Sequence, residues 1–312
     1  MNSLANLFTT DFVYAILRVT TPILFAALAA IICNRAGVVN IALEGTMLTA
    51  ALFGVVGSAW TQSLFVGLLS AMIGGMLMSA LMAYFALYLN TDIILTGIAI
   101  NLLTAGGTIF MLYVVSGDKG TSANLRSLVF PKVEIPLIKE IPILGDILSG
   151  HNVLTYVAFL LVIVVYIFLF KTPIGLRLRC VGENPNAADS VGIPVRKIQV
   201  MALLIGGAIS ALGGAYMSMG YLSGFSKNMI SGRGFIALAA EAMGQSSPVA
   251  TMFSSLLFGA AEASSYTLQS LAIPAEFVQM IPYVATILGL VIYAQARKTA
   301  EKRRLQKEES NA

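Results

Sequence analysis

The sequence predicts an all-α polytopic membrane protein, a bundle of about 8–10 transmembrane helices that includes broken or half helices. Three observations carry this. Of 312 residues, 57% are hydrophobic and only 11% charged, against roughly 25% charged in soluble domains, and the mean hydropathy is +0.84. The apolar stretches are continuous rather than alternating, which argues against a β-barrel. They are also long, and a spanning helix needs about 20 apolar residues. The 28 glycines cluster inside these stretches.

Taken in order, the apolar runs place spans at 11–33, 42–59, 63–89, 92–115, 152–170, 198–221, 234–244, 249–269 and 278–296. The seventh is too short to cross unaided and reads as a half-helix or the end of a broken one. Between Ala36 and Phe110 the only charges are Glu44 and Asp92. The long connection 116–151 contains Pro131, Pro136 and Pro142, and its four basic residues balance its four acidic ones. The transmembrane domain is thus 1–296, followed by a basic tail at 297–312. Residues 1–10 lack the basic start of a cleavable signal peptide.

A polar island at 171–197 separates two uncharged runs, Asn152–Phe170 and Ile198–Ser226. Its basic residues Lys171, Arg177, Arg179, Arg196 and Lys197 outnumber Glu183 and Asp189, so the positive-inside rule makes it cytoplasmic. It also writes a helix. Pro173 and Gly175 close the preceding span. Asn184 is a good N-cap, Pro185 suits a first helical position, and Gly192 with Pro194 stops the helix, giving about 185–191. With this loop inside, twelve Lys and Arg lie inside and seven outside, Arg18 and Arg233 among the seven. The N terminus is then outside and the C terminus inside, provided that 234–244 crosses the membrane.

Polar groups within apolar runs are costly, about 2.5 kcal/mol or more for a mid-membrane carboxylate. Glu44 and Glu241 fall near predicted inner ends, where hydrogen bonding to a neighbouring helix end is the favoured reading. Glu262 lies deeper and shares one helical face with Ser265, Tyr266 and Gln269 by the i, i+3, i+4, i+7 rule. This stripe and Asn101 are candidate pathway-lining residues, and a packing network is an equal reading of the stripe. Gly206, Ser210 and Gly214, and beside them Gly207, Ala211 and Ala215, form small-residue rows suited to close helix packing within the subunit.

No phosphate-binding GxxxxGK[ST] loop and no Gly-x-Ser-x-Gly elbow occurs. A single histidine, His151, makes neither a metal cluster nor a Ser–His pair, so no metal-ligand set and no catalytic residue are expected. Cys33 and Cys180 both fall on the inner side and suggest no disulfide framework. The net charge of +4 reflects loop topology and gives no reason to expect nucleic acid. Energy for any work must come from an ion gradient or a partner ATPase.

The segments NRAGVVNIALEG (34–45), LRLRCVGENPNAADSVGI (176–193) and GRGFIALAAEAMGQSSP (232–248) resemble the permease subunits of ABC importers of the ribose and branched-chain amino acid type. Within that family they are most similar to the shorter permease of bacterial nucleoside (guanosine-type) importers. The resemblance runs from about Pro22 to Ala294. It implies a type II ABC importer-like bundle in a bacterial plasma membrane. The 185–191 helix would be the coupling helix, seated in a cleft of a cytoplasmic ABC ATPase. Arg177, Arg179, Gly182, Glu183, Asn184, Pro185, Ala187, Ala188 and Gly192 would lie at that contact. A second permease subunit and an extracytoplasmic substrate-binding protein would complete the importer. This chain would bind no cofactor, and its ATPase partner would use ATP and Mg. The alternatives are a gradient-driven carrier using Glu262 or Glu241, or a permease for a sugar or branched-chain amino acid.

Overall fold

The computed structural model describes residues 10–134 and 144–269 and five positions between 284 and 295. The ninth expected span (278–296) is described only at those five positions, and the tail at 297–312 lies outside the described residues. The helices are α1 (Thr10–Arg35), α2 (Leu43–Thr61), α3 (Leu64–Ala83, prolonged by a π turn Tyr84–Tyr88) and α4 (Ile93–Ser116). After the long connection come α5 (Leu144–Leu148), α6 (Val153–Lys171), α7 (Pro173–Glu183) and α8 (Pro185–Ser190). The bundle is completed by α9 (Val195–Tyr216, prolonged by a π turn Met217–Tyr221), α10 (Arg233–Met243) and α11 (Pro248–Gln269). Six of these helices are long and apolar enough to cross a membrane: α1, α2, α3, α4, α6 and α9. Large apolar side chains such as Phe65, Leu69, Leu102, Phe110, Leu160 and Ile163 are exposed on α3, α4 and α6, the arrangement expected of faces that meet lipid.

Helix α1 is the central post. Every residue from Val19 to Cys33 is buried, and two apolar clusters meet on it. Around it the small residues of α9 do what their spacing predicts. A Cβ on Gly75 of α3 would meet the Gly207 carbonyl at 2.6 Å, one on Gly206 would meet Cys33 of α1, and one on Gly214 would strike the Met47 carbonyl of α2. Both rows therefore pack inside the subunit.

The helix ends sort to two ends of the bundle. At one, Tyr14 donates to the Gly150 carbonyl (2.8 Å) and Gln62 to that of Arg126 (3.0 Å). There the Lys227 N–H also reaches the Gly120 carbonyl (2.8 Å). At the other, Arg35 donates to the Ser246 carbonyl (3.1 Å), and the Arg196 guanidinium lies 5.2 Å from the Tyr88 ring. The chain from Lys227 to Ser246 therefore passes from one end of the bundle to the other. It does so as an irregular stretch followed by the half-helix α10, so 234–244 completes a crossing and does not turn back.

Two stretches outside the spans carry more structure than their sequences write. The island does not run irregularly from Lys171 to Asn184. Thr172 caps a new helix, its Oγ1 accepting from Gly175 N–H (3.1 Å), and Pro173 occupies the first turn. Proline that ends one helix can thus open the next, because its missing N–H is not needed there. In 116–151, Lys132–Val133 pairs antiparallel with His151–Asn152, and Thr121 bridges to Ser226.

His151 is buried in this docked segment, stacked on Tyr14 (3.9 Å between ring centres) and hydrogen-bonded to the Ile147 carbonyl. Burial holds its pKa below the ordinary 6.5, and Arg18 adds to the shift. The folded state thus favours neutral histidine. Its contribution is complete above about 6.5 and falls as pH drops toward the lower folded value, because the unfolded chain protonates first. Melting temperatures in detergent between pH 8 and 5.5 should decline for the wild type by more than for His151→Gln.

Candidate functional site

The α7–α8 corner is held by local chemistry. The Asn184 side chain accepts from Ala187 N–H (3.0 Å). At the other end the Ile193 N–H reaches the Ala188 carbonyl (3.0 Å) and Gly192 N–H reaches Asp189 (2.9 Å). That is a Schellman stop, with Gly192 at φ 79° supplying the left-handed residue. Only Ala188 of α8 is buried. Asn184, Pro185 and Ala187 are exposed and Val191 is 74% exposed, so a helix of six residues stands off the bundle. On α7, Gly175, Leu178 and Val181 face inward while Arg177 and Glu183 face out. The Arg179 guanidinium lies 4.9 Å from the Phe170 ring. An open groove of about 590 Å³ lies beside α8, lined by Tyr88, Asn90, Pro185, Asp189, Arg196 and Lys197.

Gly182 fixes how this corner docks. A Cβ there would collide with the Arg35 carbonyl and come within 3.0 Å of Gly37 N. Backbone therefore meets backbone, with no side chain between.

Deeper in the bundle, the starts of α2 and α10 meet. Asn101 accepts from Gly45 N–H (2.8 Å) and donates to the Ile41 carbonyl (2.9 Å), satisfying backbone at the start of α2. Asn101 is the ninth residue of α4, which places this contact about 12 Å inside that helix's end at 1.5 Å per residue. Glu44 therefore sits within the bundle and not at its rim. Its carboxylate accepts from Gly232 N–H and Gly234 N–H, both at 2.8 Å. These are N-terminal groups of α10 that have no intrahelical partner, and a carboxylate there also suits the helix dipole. Asn101→Leu should leave a buried donor and acceptor unpaired, costing about 1–3 kcal/mol for each. A melting temperature in detergent unchanged from wild type would refute this.

Arg233, an outer-loop cation by the positive-inside rule, is instead buried (5% exposed) at the first position of α10. It pairs with Glu262 (7% exposed) and donates to the Tyr266 hydroxyl (2.9 Å), which also bonds Glu262 (2.9 Å). Its Nη1 reaches the Met229 and Ile230 carbonyls at 3.3 and 3.0 Å. The signal for this partner was the carboxylate itself, since a mid-membrane Glu needs a cation and α10 opens with one. Ser265 is buried and Tyr266 is 43% exposed; the Gln269 side chain lies outside the described residues. Glu241 accepts from Asn34 Nδ2 (2.8 Å) and from the Ser246 hydroxyl. Among the described residues, no group of three or more His, Cys, Asp or Glu is placed to hold a metal ion.

A multi-pass bundle with an interrupted crossing, a capped helix pair standing off one end and polar ties at its centre has the architecture of a membrane permease. The chain belongs to the family described as branched-chain amino acid transport system / permease component, whose model matches residues 12–293. It is 36% identical over 287 residues to the guanosine ABC transporter permease protein NupQ of Bacillus subtilis, covering 88% of this chain and 89% of that one. It is 34% identical to the nucleoside ABC transporter permease protein NupC of Lactococcus lactis, over 88% and 89% of the two chains. The same two bacteria have second, less similar permeases, NupP (25% identical) and NupB (22%). In fold it is similar to the solved PsaBC from Streptococcus pneumoniae in complex with Fab, with a TM-score of 0.51 at 14% identity over 92% and 94% of the chains.

Proposed function

We propose that this chain is a membrane-spanning subunit of an ATP-driven nucleoside importer, oriented with its N terminus outside and its C terminus in the cytoplasm. The observation that carries the reading is the 36% identity to a guanosine permease across nearly the whole of both chains. The α7–α8 corner supports the ATP-driven part. A short, doubly capped helix with one buried residue is shaped to enter a cleft in another protein, and the cytoplasmic ATPase is that partner. Arg177, Arg179, Glu183, Asn184, Pro185, Ala187 and Gly192 hold or present this contact, and Ala188 docks it on the bundle. The paired permeases in the two bacteria named above support a heterodimeric path with a second permease. A substrate-binding protein delivers the nucleoside to the outer end. The chain itself performs no catalysis and binds no cofactor; ATP and Mg act in the partner.

Tyr266 is the candidate lining residue that exposes its ring, and its hydroxyl is oriented by Arg233 and Glu262. An aromatic face is a suitable surface for a nucleobase. The carrier alternative is disfavoured because the carboxylates it would use, Glu262 and Glu241, are both engaged by neighbours. Transport follows by alternating access. ATP-driven closure of the ATPase moves the corner as a rigid body and switches the bundle between its outward and inward openings.

The deciding experiment is uptake of labelled guanosine, adenosine, uridine and ribose with and without this chain, alongside an ATPase-dead partner. Nucleoside uptake lost in both strains is the expected result. Uptake that persists with the dead ATPase would replace the ATP-driven reading, and ribose uptake alone would replace the substrate.

A further inference from the structure

The contacts at the inner end of α1 form a continuous path from the α7–α8 corner to the half-helix α10. Gly182 of α7 lies against the backbone of Arg35 and Gly37 with no side chain between them. Arg35 and Arg179 both lie over the Phe170 ring, at 6.0 and 4.9 Å. The Arg35 side chain then reaches the turn that ends α10. Its Nε donates to the Ser246 carbonyl (3.1 Å) and its Nη2 to the Gln245 carbonyl (3.2 Å). Gln245 and Ser246 both hold a left-handed backbone, φ 52° at each. Without glycine, that conformation persists only where neighbours impose it. The adjacent Asn34 donates to Glu241 (2.8 Å) and to the Ser246 hydroxyl (3.1 Å), so the end of α1 grips the end of α10 at four points.

We infer that Arg35 is a positioning residue for transport, through which movement of the α7–α8 corner is passed to α10. The inference rests on the importer reading above. Helix α10 has 11 residues, about 16 Å at 1.5 Å per residue, and acts as a stiff rod. A displacement at its Arg35 end must appear at its other end, where Glu44 caps it and Arg233 ties it to Glu262. Close-packed contacts transmit displacement because they do not compress. A planar guanidinium bonds two successive carbonyls at once and a lysine ammonium does not reproduce that fork. Arg35 thus converts a push on the corner into a pull on one specific turn.

The test uses the complete importer, with its ATPase, second permease and binding protein, in proteoliposomes. Nucleoside uptake and ATP hydrolysis are measured on the same vesicles for wild type, Arg35→Ala and Arg35→Lys. A merely structural role lowers uptake and hydrolysis together, in proportion to intact complex, and leaves their ratio unchanged. The expected result is a ratio of nucleoside moved to ATP hydrolysed lower by about fivefold or more in R35K, the lower end of usual coupling between sites, with basal hydrolysis per complex retained. R35K carries the decision if R35A does not assemble. An unchanged ratio in R35K overturns the inference while leaving the importer reading intact. Absence of ATP-dependent uptake in wild type overturns both.

Discussion

Glu262→Ala should strip the bundle of about 3–5 kcal/mol, the usual cost of leaving one member of a buried ion pair without its partner. Arg233 would remain at 5% exposure with its charge facing a cavity. The Tyr266 hydroxyl would lose one of its two partners. The loss should appear as low abundance in the membrane and a lowered melting temperature in detergent. Replacing both members, as Arg233→Met with Glu262→Leu, should recover much of the stability, because matched apolar residues often equal or exceed a buried pair. That double variant also separates two roles. If it is stable and transports, the pair only holds α10 to α11. If it is stable and does not transport, the pair serves the path. Stability unchanged in the single variant would refute the ion pair.

Gly182→Val carries the second large effect. Its Cβ would overlap the Arg35 carbonyl and lie 3.0 Å from Gly37 N, and neither is a flexible side-chain tip. Overpacking of this kind costs about 1–3 kcal/mol. At 1.4 kcal/mol per tenfold, the docked corner becomes about fivefold to somewhat over a hundredfold less favoured. The collision lies at the edge of the bundle, so the spans should still insert while transport falls by about fivefold or more. Abundance by immunoblot and uptake per molecule separate the two effects. Wild-type uptake by G182V would show that the corner does not depend on this contact.

Much of the architecture is legible in the sequence because the bilayer imposes a simple rule. Apolar runs of sufficient length become helices, and the boundaries of α1 to α4, α6 and α9 follow the runs closely. Capping chemistry is equally local. Asn184-Pro185 and Gly192 mark the ends of α8 because their preferences act within a few residues. Where two readings of one local signal compete, the sequence misleads. Pro173 and Gly175 read as the end of a helix, yet the Thr172 hydroxyl makes them the start of the next.

Partners distant in sequence were not legible. Glu44 reaches Gly232 and Gly234 across 188 and 190 residues, and Arg35 reaches Gln245 across 210. Nothing in either local pattern encodes those pairings. Positive-inside counting misassigned Arg233 for the same reason: a cation flanked by glycines reads as a loop residue unless its carboxylate, 29 positions later, is seen beside it. By itself the sequence determined the class of protein, the spans among the described residues, the capped corner and the need for partners at each buried carboxylate, since burial and capping are properties of short segments. Only the tertiary structure decided which partners those are and that α10 completes a crossing. Those outcomes depend on which helix faces come within hydrogen-bonding distance, and that is set by the packing of the whole bundle around α1.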